Sequence, residues 1–135
     1  MRDHHELPAF HHAHELTLAV HEATRQIAPA VAGGLSVRLR AAALAAAGAV
    51  VRGSGLPSRR FAMELVQAAS RLREVSFYID MGQRLGHLDL GTAAELLARQ
   101  SRASLEVESL ALSLVQRAQV RLVVGGARGE AAAPL

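Results

Sequence analysis

The sequence has no cysteine, no tryptophan and no lysine, and aromatic residues make up only 3% of it. Without cysteine there are neither disulfides nor thiolate metal sites. Without lysine there is no phosphate-cradling Gly-x-x-x-x-Gly-Lys motif. No apolar stretch reaches the ~18 residues that span a bilayer, and the polar start Met1-Arg-Asp-His-His-Glu6 lacks the apolar segment of a signal peptide. A cytoplasmic protein with no membrane contact is expected. With aromatics so scarce, the core of a chain that is 50% hydrophobic must be Leu, Val, Ile and Ala, which favours helix. A length of 135 residues suits one domain with its own core.

The formal net charge is +3, and all fifteen basic residues are arginine. The sequence pI of 10.9 follows from this composition, because almost nothing titrates between neutral pH and the arginine range. So small an excess permits contact with nucleic acid without requiring it.

Four helical segments are legible, at about 8–28, 35–52, 58–85 and 90–124, in a domain covering 1–124 with a flexible tail at 125–135. In the first, Phe10, Ala13, Leu16, Val20, Ala23 and Ile27 recur at three- and four-residue steps. The second is alanine-rich, with Leu39, Leu44 and Val50, and has so little polar surface that it should be covered on most sides. Ser58 is the expected N-cap of the third. That helix carries the cleanest heptad run, Phe61, Leu65, Ala68, Leu72, Val75, Ile79 and Gly82, and Gly86 ends it. Asp89, or Thr92 with Glu95, starts the fourth. The fourth helix has two apolar faces. One carries Ala94, Leu97, Leu105, Ala111, Leu112, Val115 and Leu122. The other carries Leu96, Val107, Leu110 and Leu114 and is expected to meet another subunit, together with Phe77 and Tyr78 of the third helix. The whole predicts an all-α, antiparallel up-down-up-down four-helix bundle.

An ordered set of short motifs adds to this pattern. Phe10-His-His-Ala-His-Glu-Leu16, Leu35-Ser-Val-Arg-Leu-Arg-Ala-Ala-Ala43, Gly53, Leu72-Arg-Glu74 and Leu85-Gly-His-Leu88 follow one another at set spacings. Over roughly residues 7–118 the chain resembles the bacterial four-helix-bundle proteins encoded in intervening sequences of 23S ribosomal RNA genes. Those proteins are related in fold to the accessory variability protein of diversity-generating retroelements. The resemblance implies a ring-like homopentamer and nucleic-acid contact, and it implies no catalytic activity. The chain departs from the family pattern at the end of the second helix. There Ala47-Gly-Ala-Val-Val-Arg52-Gly53 stands where the family commonly reads Pro-x-Asn-Ile-Ala-Glu-Gly, and Ser76 replaces an acidic position after Glu74.

Six of the seven histidines, His4, His5, His11, His12, His14 and His21, fall near the N-terminus. His11, His14 and Glu15 share a helix face with metal-ligand spacing, although a polar helix face is the plainer reading. The absence of any Glu-x-x-His disfavours a carboxylate-bridged di-iron site. The acidic residues are dispersed and there is no nucleophile elbow, so no catalytic residue and no cofactor are assigned. Arg52, Arg59 and Arg60 flank one loop and should cluster at one end of the bundle, with Arg38 and Arg40 on the second helix. Repeated around a ring, they would hold RNA or DNA phosphates without reading bases. Ordinary pairing of Arg60 with Glu64 and Arg84 with Asp80 is the alternative. The expected function is therefore a non-enzymatic, ring-forming scaffold associated with RNA. A protein–protein adaptor with an unidentified partner is second, and a histidine-rich metal-binding bundle third.

Overall fold

A computed structural model describes residues 2–129. Four helices account for most of them: α1 Pro8–Ala23, α2 Leu35–Ser54, α3 Ser58–Arg84 and α4 Leu90–Gly129. There is no strand among the described residues. Each helix packs on two neighbours, α1 on α2 and α4, and α3 on α2 and α4. Every neighbouring pair is antiparallel. Thr17 of α1 donates to the Ala43 carbonyl of α2 while Thr24, further along α1's direction, meets Arg40. Gly53 lies against Phe61, and Gly82 lies near Leu35 at the other end of the α2–α3 pair. The expected up-down-up-down four-helix bundle is the fold.

The core is aliphatic, as the composition requires. The whole α3 heptad run is buried, from Phe61 through Ile79 at 0% exposure to Gly82. Leu16, Val20, Leu39, Val50 and Leu114 meet it from the other helices, with alanines 42, 43, 46 and 49 filling the α2 side. Each large aliphatic side chain so buried stabilises the fold by about 1.5–3 kcal/mol relative to exposure. The alanines add little area each, but they let α2 lie close to its neighbours.

Helix ends differ from the sequence reading where a side chain takes a backbone's place. The first helix ends at Ala23, short of the expected 28, because Thr24 turns the chain. Its buried hydroxyl donates to Val20 O at 2.7 Å and accepts from Arg40 Nε at 2.7 Å. Ala32, Gly33 and Gly34 then take left-handed conformations before α2. Pro57 rather than Ser58 precedes α3, and Ser58 instead accepts a hydrogen bond from Arg2 at 2.7 Å. Gly86, at φ +80°, closes α3 as expected, with His87 N–H and Gly86 N–H returning to the carbonyls of Gly82 and Gln83. Asp89 caps α4 by accepting from Thr92 N–H at 2.7 Å. Because the Thr92 hydroxyl also donates to Asp89, the alternative Thr92–Glu95 start is not used.

At 40 residues, α4 is about 60 Å long and runs past its partners, whereas α1 has 16 residues and spans about 24 Å. The helix continues beyond Val124 to Gly129; the rest of the expected tail, 130–135, lies outside the described residues.

The segment Val31–Ser54 is long and apolar enough, by length and composition, to cross a membrane, contrary to the sequence reading. Half of it is buried in the bundle. Its other side leaves Val37, Leu44 and Val51 exposed as a ridge at seven-residue steps. The expectation that α2 is covered on most sides is therefore only half met within one chain.

Candidate nucleic-acid and assembly surfaces

The five arginines assigned to nucleic acid do not form one group. Arg40 is part-buried and ties α2 to the end of α1 through Thr24. Arg38 reaches back to the Gly33 carbonyl at 3.3 Å. Both sit near the start of α2. Fourteen positions along, Arg52 is about 20 Å away at 1.5 Å per residue, at the opposite end of the helix. Arg38 and Arg40 therefore leave the candidate set. Arg52 pairs with Glu64 at 3.5 Å. This takes the carboxylate that helical spacing had offered to Arg60. Arg59 and Arg60 are exposed, and among the described residues neither makes an ion pair. The Arg84–Asp80 pair forms as expected, at 3.0 Å.

Arg2 joins this end, which the sequence reading missed. Its guanidinium donates to Leu56 O and Ser58 Oγ, both at 2.7 Å, and lies 5.1 Å from the Phe61 ring centroid. Nothing in the local sequence signals so long-range a contact. No side chain caps α3, so the N–H groups of its first turn, beside Arg59 and Arg60, have no side-chain acceptor among the described residues. Free N–H groups and the helix dipole both favour an anion there.

The face of α4 expected to meet another subunit is buried within the chain itself. Leu96, Val107 and Leu114 are 2%, 0% and 0% exposed, and Leu110 packs on the same core. They form α4's inward stripe, with Gln100 and Ala103 between them. Gln100 is buried and donates to the Leu72 carbonyl at 2.8 Å and to Ser104 Oγ at 3.1 Å. The opposite face is the exposed one. Leu105 is 66%, Leu112 59% and Val115 43% exposed. Together with Ala62, Met63 and Val66 of α3, Leu112 and Val115 line an open apolar groove of 620 Å3, with Arg59 at its edge. Met63 and Val66 are themselves well exposed. Phe77 is exposed on α3, as a contact residue would be, but Tyr78 packs against the core.

The histidines also divide. His14 stacks on Phe10, with centroids 5.3 Å apart. His11 and Glu15 instead line a polar cleft of 450 Å3 between α1 and α4, with His12, Glu95, Arg99 and Arg102. Arg99 lies 3.9 Å from Glu15 and 3.3 Å from Glu95. The Arg99 guanidinium between these carboxylates opposes a cation there, and among the described residues His11, His14 and Glu15 do not bring three donor atoms together. Asp3, His4 and His5, by contrast, place their donor atoms within 4.8 Å of one another. Two carboxyls, Asp3 and Asp89, are held below the ordinary range, chiefly by backbone N–H bonds from His5 and Thr92 respectively. Both stand at turns, where such a shift reflects capping.

Comparison with protein-family models and with curated proteins finds no match.

Proposed function

We propose that the protein is a self-associating helical scaffold, without catalytic activity of its own, that holds nucleic acid at the α2–α3 end. The observation that carries this reading is the placement of two exposed, unpaired arginines, Arg59 and Arg60, on the uncapped first turn of α3 beside an open apolar groove. Exposed apolar surface of this kind is a common mark of a protein interface. The ridge Val37, Leu44, Val51 and the α3–α4 groove are different surfaces of one chain. Association of two different surfaces is head-to-tail and closes into a ring when the rotation allows. That supports the ring, and the family resemblance suggests five subunits. A ring would repeat the Arg59–Arg60 end around its axis. Many weak phosphate contacts would then sum into salt-sensitive, sequence-independent binding, for which RNA is the preferred ligand by resemblance.

The adaptor reading rests on the same groove, occupied by a different protein. Size-exclusion chromatography with light scattering separates the two. The protein has one tyrosine and no tryptophan, so its mass is read by refractive index and any nucleic acid by absorbance at 260 nm. Several-fold mass with 260 nm absorbance that salt removes is the expected result. A clean oligomer that binds no added RNA at low salt favours the adaptor, and a single-chain mass overturns the assembly.

A further inference from the structure

We propose that Asp3, His4 and His5 form a binding site for a divalent transition-metal ion of the zinc type. Each side chain offers one donor atom, and the three atoms lie within 4.8 Å of one another. His5 Nδ1 is already 3.0 Å from Asp3 Oδ1. A tetrahedral ion with bonds of ~2.0 Å to nitrogen and oxygen needs ligand atoms about 3.3 Å apart. That pair is therefore near chelating separation before any ion arrives, and the His4 side chain must close the remaining gap, from separations of up to 4.8 Å. A carboxylate only accepts, so in the free protein His5 Nδ1–H donates to Asp3; on binding the ion takes that proton's place, the proton is exchanged to Nε2, and the neutral imidazole ligates through Nδ1. Two imidazoles and one carboxylate suit zinc, nickel or copper better than magnesium or calcium, which prefer all-oxygen sites.

The turn that carries these residues is held in place. Asp3 Oδ1 also accepts the His5 N–H at 3.0 Å, closing a short 3-10 turn over His4–Glu6. The Phe10 ring backs both imidazoles edge-on, 4.8 Å from His4 and 5.6 Å from His5. On the other side, Arg2 clamps the N-terminal segment to the α2–α3 turn through Leu56 and Ser58. No arginine contacts the Asp3 carboxylate among the described residues, in contrast to Glu15 and Glu95 in the α1–α4 cleft. The ion would stiffen the turn that presents Arg2 to the bundle end.

The test is isothermal titration of zinc chloride into the full chain made without an affinity tag. One zinc per chain is expected. His4→Gln with His5→Gln should abolish that heat, and Asp3→Asn should weaken binding at least tenfold. His11→Gln with His14→Gln should leave it unchanged. All these positions are off the core, and circular dichroism before titration verifies each fold. No heat in the parent protein overturns the site, as does binding that survives the His4/His5 change. Abolished binding in the His11/His14 variant places the ion elsewhere and overturns it equally. Histidine ring resonances supply a second reading: zinc should shift those of His4 and His5 and spare His21 and His87.

Discussion

Gly53 of α2 faces the ring of Phe61 on α3 so closely that a Cβ at position 53 would lie 2.9 Å from Cε1 and 3.1 Å from Glu64 Cβ. Phe61 is fully buried, so its ring has nowhere to swing. Alanine is a better helix former than glycine by about 1 kcal/mol. Overpacking a closed core costs about 1–3 kcal/mol, and at this position it wins. Gly53→Ala should therefore destabilise the bundle.

Gly48, nearer the N-terminus of α2, gives the opposite sign. A Cβ there meets only the far end of the Arg52 side chain at 3.4 Å. Gly48→Ala should stabilise by up to about 1 kcal/mol through helix propensity. Urea denaturation followed by circular dichroism compares the two, and equal effects at both glycines would contradict the close α2–α3 approach.

The two leucines at 112 and 114 distinguish groove from core. Leu114 is 0% exposed and Leu112 is 59% exposed. Leu114→Glu buries an unpaired charge and should unfold the chain. Leu112→Glu should leave the helical signal intact and lower the mass measured by light scattering. An unchanged mass for Leu112→Glu would remove the α3–α4 groove from the assembly.

This pair also shows what the sequence could and could not reveal. The α3 heptad was legible because every step is apolar. The inward stripe of α4 follows the same steps, Leu96, Gln100, Ala103, Val107, Leu110 and Leu114, but Gln100 interrupts it with a polar side chain. Its partner, the Leu72 carbonyl, lies on another helix and has no local signature. Two apolar faces on one helix fix the period without saying which face points inward. The arginine set failed for a related reason. Arg38, Arg40 and Arg52 are near in sequence, yet α2 holds them at opposite ends, and only the fold brings Arg2 to Phe61.

Charge reversal at the bundle end tests the proposed nucleic-acid surface. Arg60→Glu should weaken binding to a short single-stranded RNA more than tenfold at low salt. It should also flatten the dependence of log K on log salt by about 0.7 for each phosphate that is no longer neutralised. Arg60 is the cleaner choice because Arg59 also borders the groove. Arg38→Glu, at the far end of α2, should change neither affinity nor slope. Equal weakening at positions 38 and 60 would mean diffuse attraction to the whole chain rather than a site.

Asp89 should give the fold part of its acid sensitivity. Its carboxyl pKa is lowered mainly by the backbone N–H of Thr92, at 2.7 Å, and further by the Thr92 hydroxyl. A group whose folded pKa is depressed adds stability above its unfolded value of about 3.9. That contribution fades as pH falls through the lower, folded value. Asparagine also caps helices well but does not titrate in this range, and it lacks the charge that complements the α4 N-terminus. Asp89→Asn should therefore be less stable than the parent protein at pH 7, with the gap closing as pH drops below 4. Urea midpoints at pH 7, 4 and 2.5 measure the gap directly. A gap constant across that range would assign the difference to hydrogen-bond geometry alone and dissociate Asp89 from the acid response.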